Sequence, residues 1–385
     1  MTETINPIRA ALALGQSIWY DNIQRAMLSS GELQRLIRDD GLRGLTSNPT
    51  IFEKAITGSH DYDQALQDEL RRQPGQNSES LFYALAIADI SAAADLLRPV
   101  YDESQGTDGM VSIEVSPDLA HDTEATVEQA LRLHQRIGRP NLMIKVPATT
   151  EGLPAIERLI DAGISVNVTL LFSVERYIEV IESYLLGLES RLRRGQSVRQ
   201  IASVASFFVS RVDSAVDKLL EQRSANAGPE QRVRLQALQG QVAIANAKRA
   251  YQEFKTHFSS DRFKPLRAAG AQVQRLLWAS TGTKNPAYSD VLYLDALIGA
   301  DTVNTVPPDT YRAFLDHGKA QPTLEQGMEH ADALLVELAA LGIDIEAVTR
   351  QLEAEGVASF ATSYQHLLDA ISEKTASVAQ YRSGT

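Results

Sequence analysis

Eight short β-rich runs, most of them separated by longer helical stretches, limit what this chain can fold into more than any other feature of its sequence. They read SIWYDN (17–22), RGLTSNP (43–49), MVSIEVS (110–116), NLMIKVPA (141–148), SVNVTLLFS (165–173), SVASFFVS (203–210), RLLWAST (275–281) and DTVNTVP (301–307). Strands that alternate with helices form a parallel sheet, because parallel neighbours need the long crossover that a helix supplies. Eight such units favour closure into a (β/α)8 barrel over an open, doubly wound sheet. The open alternative also lacks its usual mark, since no G-x-G-x-x-G turn follows the first strands.

The helices have recognisable ends. Asp122 can cap one in which Val127, Ala130, Leu131 and His134 recur at helical spacing, with Gly138 and Pro140 stopping it. Ser173 can cap another, with Val174, Ile178, Ile181, Leu185, Leu188 and Leu192 along one stripe and Gly195 closing it. Two segments exceed eight simple units. Residues 221–262 read as a helical insertion between the sixth and seventh strands, and residues 322–374 as two or three helices after the eighth. No new strands accompany either, so residues 1–385 read as a single domain whose tail frays from Ala376.

Composition closes off several functions. The 385 residues include no cysteine, which excludes disulfides, thiolate nucleophiles and cysteine-based zinc sites. The seven histidines show no H-x-x-x-H or H-E-x-x-H pairing, so no metal is expected. A net charge of −12 argues against nucleic-acid and anionic-membrane surfaces, although a few local cations can still hold an anionic substrate. The N-terminus lacks the basic region of a signal peptide, and no apolar run is expected to approach the roughly 20 residues of a membrane span. A soluble, cytoplasmic protein is the expectation.

In such a barrel, functional side chains gather at the C-terminal ends of the strands. Those ends carry Asp21 on the first strand and Thr46, Ser47 and Asn48 on the second. Ser112 and Glu114 follow on the third, Lys145 on the fourth, Asn167 and Thr169 on the fifth. Ser206 with Arg211 beyond it, and Ser280 with Lys284 beyond it, complete the set. Lys145 is the sharpest of these. Alternation along NLMIKVPA sets Leu142 and Ile144 on one face and Met143 and Lys145 on the other; with the first pair against helices, the lysine points inward. A buried ammonium escapes its desolvation cost by losing its proton, and a neutral amine attacks carbonyls.

Each residue also has a plainer reading. Lys145 can simply be paired with Glu114 or Asp21, and Asp21 can simply end a strand. Asn48, Asn167 and Ser206 can bind hydroxyls or serve turns and caps. Arg211 and Lys284 can grip a phosphate or lie as solvated surface charges. Asp21 and Glu114 together suit the acid/base work that imine chemistry requires. STGTKNP (280–286) lacks the spacing of a phosphate-binding P-loop, and Trp19 and Trp278 read as core.

GLTSNPTIF (44–52) and NLMIKVPATTEGLPAI (141–156) resemble the two signatures of the transaldolase family. SIEV (112–115), VNVTLLFS (166–173) and ASFFVSRVD (205–213) follow the family's order, and the resemblance runs from Trp19 to Thr310. It is closest to the longer bacterial members, which carry extra helices. The resemblance implies an α/β TIM barrel without cofactor, a monomer or homodimer whose partners are sugar phosphates. It further implies transfer of a dihydroxyacetone unit through a Schiff base on Lys145. The donor would be sedoheptulose 7-phosphate or fructose 6-phosphate, and the acceptor glyceraldehyde 3-phosphate or erythrose 4-phosphate.

Carried over by position, Asp21 is the acid/base of cleavage, and Glu114 with a water near Thr169 the proton relay. Thr46, Asn48, Asn167 and Ser206 hold the three-carbon part, with Ser112 and Ser280 in the substrate-binding set, and Arg211 holds phosphate. One slot departs. Many members place an arginine two residues after the serine of strand seven; here that residue is Gly282, and Lys284 is expected to take part of the grip. The rivals are an aldolase that releases free dihydroxyacetone and a non-catalytic sugar-phosphate-binding barrel. A fused isomerase domain has no room in this length.

Overall fold

A computed structural model describes the backbone of residues 6–383 and side chains as far as Ala376. Its strands are β1 (Gln16–Tyr20), β2 (Gly44–Thr46), β3 (Met110–Glu114), β4 (Leu142–Pro147), β5 (Val166–Leu171), β6 (Ser203–Phe208), β7 (Gln274–Ala279) and β8 (Thr302–Val306). They form one closed parallel barrel in sequence order, β8 pairing back onto β1. All eight expected strands are present, and the barrel replaces the open-sheet alternative.

Register decides which side chains meet. Glu114 lies beside Lys145, Lys145 beside Asn167, and Thr46 beside Ser112. Paired residues share a face of the sheet, so these polar groups all look into the barrel. Lower down, the indole of Trp19 crosses β2 at Gly44. A Cβ at that glycine would lie 2.6 Å from ring atoms of Trp19, so no larger residue fits without displacing the ring. Trp19 and Trp278 are both fully buried, as expected of core residues.

The caps read from sequence are in place. The Asp122 side chain accepts from the Ala125 N–H at 2.9 Å and starts the helix Thr123–Ile137, which Gly138 ends in the left-handed conformation. The Ser173 hydroxyl accepts from the Arg176 N–H at 2.9 Å and starts Val174–Arg193. One stripe needs correction: Leu131 is 44% exposed, and Leu133 takes its place in the core. Leu131 stands one residue beyond the buried Ala130, which turns it about 100° away from the barrel.

The helical insertion begins later than expected, because residues 221–224 complete the helix Ser210–Ser224 that follows β6. Three helices then intervene: Pro229–Ala237, Val242–Ser259 and Phe263–Ala268. After β8, Pro308–His317 completes the eighth unit, and Met328–Ala340 and the long C-terminal helix Ile345–Ser383 are added. The fraying expected from Ala376 falls on residues whose side chains lie outside those described, with the backbone helix followed to Ser383.

The helix Ser78–Glu103 is long and apolar enough in composition to cross a membrane. Here it is the outer helix against β3, with 56% of its apolar window buried and Asp89 paired to Arg25 at 2.7 Å. The sequence reading missed it because single polar residues interrupt the apolar run.

Candidate active site

At the C-terminal mouth of the barrel lies a cavity of about 140 Å³. Its walls include Asp21, Thr46, Asn48, Lys145 and Thr169 from the first half of the chain, with Ser206, Arg211, Ser280 and Lys284 from the second. Nine of the twelve residues expected at the site therefore converge there. The other three, Ser112, Glu114 and Asn167, are buried behind this lining. Asn167 donates to Ser112 Oγ at 3.0 Å and accepts from Ser206 at 2.6 Å, so it holds a wall residue in place. A larger groove of about 470 Å³ adjoins the site between Ser210–Ser224 and the C-terminal helix. It shares Arg211 with the mouth but none of the other site residues.

Lys145 is 5% exposed. Its Nζ donates to the Ser47 carbonyl oxygen at 3.0 Å and stands 3.5 Å from Glu114 Oε2. The ion pair that formed the plainer reading is thus real, and it sits on the wall of an open cavity. Two buried oxygens nearby, Glu114 Oε2 and Thr169 Oγ1, have no hydrogen-bonding partner on the protein. Buried polar atoms without a hydrogen bond call for an explanation, and Thr169 lines the cavity together with Lys145.

Both carboxyls are tuned in the same direction. Burial raises the pKa of Asp21 above the ordinary carboxylate value, against the opposing pull of Lys145, of the Thr46 hydrogen bond and of Lys284. Burial also raises Glu114, with Lys145 opposing and the charge of Asp21 adding to the rise. Asp21 is fixed by its backbone N–H on the Val306 carbonyl at 2.9 Å and by Thr46 Oγ1 at 2.7 Å. Raised carboxyls next to a lysine can move protons nearer to neutral pH than solvated ones.

The outer wall is cationic. Among the described residues, neither Arg211 nor Lys284 has a carboxylate at ion-pair distance, although most arginines here do. The Arg211 guanidinium lies 5.4 Å from the Phe208 ring, and burial pulls its pKa below the usual arginine value. Gly282 marks the departure on strand seven. A Cβ there would approach Thr310 Oγ1 to 3.0 Å and Pro307 Cγ to 3.3 Å, so a larger residue needs these side chains to give by a few tenths of an ångström. Lys284, two residues on, lines the cavity instead, and its charge reaches Asp21.

Local backbone is bent to aim these groups. Ser280 has φ +54°, a left-handed conformation for a non-glycine, and is held by the Ser210 N–H on its carbonyl at 3.0 Å and by a 2.9 Å hydroxyl contact with Ser210. Leu170 has φ +60° where the pairing of β5 with β6 slips. Of the two, Ser280 lines the cavity, and strained backbone at such a place is a common mark of function. Asn48 caps the helix Pro49–Thr57 through Ile51 N–H at 2.9 Å and also lines the cavity.

Sequence reasoning missed Phe208, Thr305 and Phe360, which also line the cavity. Thr305 contacts the Thr46 hydroxyl at 2.6 Å, and its place at the end of β8 was a usable signal. Phe360 comes from the C-terminal helix and had none.

A family model described as Transaldolase/Fructose-6-phosphate aldolase matches residues 18–371. The chain is 48% identical over 364 residues to a protein named Transaldolase from Trichodesmium erythraeum (strain IMS101), covering 94% of this chain and 95% of that one. It is also 48% identical to Transaldolase 2 of a Nostoc species, over 96% of this chain and 98% of the relative. A Transaldolase of Neisseria gonorrhoeae is 46% identical over 92% of this chain and 97% of its own. With the likeness running from the first strand into the C-terminal helix, the chain belongs to the transaldolase/fructose-6-phosphate aldolase family.

Proposed function

We propose that this chain is a transaldolase working through a Schiff base on Lys145. The observation that carries the reading is a buried lysine beside two raised carboxyls, on the wall of a cavity that also holds two cations with no carboxylate at ion-pair distance among the described residues. A simple binding barrel would not need the lysine. A neutral sugar would not need the cations.

In this cycle Glu114 takes a proton from Lys145, whose amine adds to the ketone carbon of a ketose phosphate. Water is lost, with Glu114 and Thr169 holding it between them, and a protonated imine forms. Asp21 then takes a hydroxyl proton from the sugar as the carbon–carbon bond breaks, and the electron pair flows into the imine to give an enamine. The aldose phosphate departs, a second one enters, and the steps run in reverse. No cofactor is called for, because the protonated imine is the electron sink. Thr46, Asn48, Ser206 and Ser280 hold the three-carbon unit, Ser112 and Asn167 support them from behind, and Arg211 and Lys284 hold phosphate.

The same reading takes residues 1–385 as one folding unit, supported by a single apolar cluster from Ile8 to Ile371. A cytoplasmic place of action suits substrates whose charge keeps them from crossing membranes unaided. Borohydride trapping with fructose 6-phosphate, followed by peptide mass mapping, tests the mechanism. A reduced adduct on Lys145 is expected, and no adduct on any lysine would remove the reading.

A further inference from the structure

The cavity borrows part of its wall from outside the barrel. Phe360 of the C-terminal helix is 4% exposed, and its ring centroid lies 5.9 Å from Lys145 Nζ. Gly356, one turn earlier, packs closely on the barrel. A Cβ there would meet Leu170 Cδ2 at 3.0 Å and Phe172 Cε2 at 3.6 Å. Glycine inside a helix costs roughly 0.5–1 kcal/mol relative to alanine, and close backbone approach is one of its ordinary uses. Contacts on the next turn pin the position: Ser363 meets Thr50 at 2.8 Å, and Tyr364 donates to Glu79 Oε1 at 3.1 Å. Phe360 is therefore held against the lysine rather than resting there loosely.

The chemistry gives an apolar wall at this place a purpose. Once the aldose phosphate has left, the enamine on Lys145 waits for its second substrate, and water competes. If water protonates the enamine carbon, a C–H bond forms and hydroxide is left over. Hydroxide then adds to the iminium carbon, the new hydroxyl proton passes to nitrogen, and the C–N bond breaks. One water is consumed, and free dihydroxyacetone and the Lys145 amine result. Excluding water from a closed site is a known way to suppress such side reactions.

Resting on the Lys145 reading, we propose that Phe360 is a specificity-determining residue that keeps water, other than the one held by Glu114 and Thr169, from the enamine carbon of the lysine-bound three-carbon unit and so commits it to transfer. The experiment measures free dihydroxyacetone against transfer product with fructose 6-phosphate and erythrose 4-phosphate, in the wild type and in Phe360→Ala and Phe360→Leu. The release-to-transfer ratio rises roughly tenfold in Phe360→Ala and by less, about threefold, in Phe360→Leu. Borohydride adducts on Lys145 form in all three. An unchanged ratio with lowered total turnover makes Phe360 a packing residue and overturns the proposal. Should the alanine variant not fold, an unchanged ratio in Phe360→Leu does the same. Absence of the adduct in the wild type defeats the Lys145 reading instead, and this inference with it.

Discussion

The two ends of the barrel both bury charge, and they treat it in opposite ways. At the N-terminal end, Asp108 accepts from Ser17 Oγ at 2.7 Å, from Trp19 Nε1 at 3.2 Å and from Arg275 Nη2 at 3.0 Å. Arg275 in turn donates to Ser17 Oγ at 3.0 Å. The carboxylate and its partner are satisfied by protein alone. At the C-terminal end, among the described residues, Arg211 and Lys284 have no carboxylate at ion-pair distance, Thr169 Oγ1 has no hydrogen bond, and Glu114 Oε2 has only the 3.5 Å ion pair with Lys145. A buried charge completed by its neighbours holds a fold together, whereas one left incomplete is poised for a ligand.

The largest test of that contrast is Lys145→Ala. Its kcat is expected to fall on the order of 10^5-fold, the scale seen when a covalent nucleophile is removed, while the thermal midpoint moves by only a few degrees. Asp108→Ala should do the reverse. Leaving Arg275 buried and unpaired costs about 3–5 kcal/mol in denaturant unfolding, with activity per folded molecule kept. If Asp108→Ala is as inactive as it is unstable, the two ends are not separable and the contrast breaks.

A smaller effect is expected at the outer wall. Lys284→Ala should raise KM for phosphorylated donors by about tenfold, the loss of one charge-assisted hydrogen bond, without a matching fall in kcat. An unchanged KM would mean that Arg211 holds the phosphate without it.

Asp213 is the intermediate case that sharpens the comparison. It is fully hydrogen-bonded, by the Ala243 N–H at 2.7 Å and the Tyr293 hydroxyl at 2.8 Å, but has no cation beside it. Burial pushes its pKa up to about 7 from 3.8. Protonated Asp213 therefore contributes stability that is full below pH 3.8 and lost as pH rises through about 7. Asn at this position keeps an oxygen for the Ala243 N–H and presents its amide N–H to the Tyr293 oxygen, which then accepts, without the charge. The thermal midpoint of Asp213→Asn relative to the wild type should climb as pH is raised from 4 to 8. A flat difference would show that the hydrogen bonds suffice to hold the ionised carboxyl.

Much of this was legible in the sequence, for reasons that also mark where reading stops. Strands announced themselves because each run is short, apolar and bounded, and the period of two placed Lys145 inward. Alternation gives the side of a residue but not its depth, which is why Ser112 and Asn167 were grouped with the lining when they stand behind it. Leu131 was misjudged because a stripe read at three-to-four spacing admits a neighbour on its edge. Phe360 was out of reach. Its helix reads like any amphipathic addition, and only the fold brings residue 360 to residue 145.

That last contact has a consequence for how the enzyme is made. The strands are all synthesised once Val306 has emerged, and every polar group of the mouth, Lys145 included, lies upstream of it. Phe360 leaves the ribosome later. A chain cut short between Gly318 and Phe360 would keep the barrel's strands and its reactive amine while lacking the roof. A premature stop in that stretch would take away, along with Phe360, the Tyr364, Leu367 and Ile371 side chains that complete the apolar core.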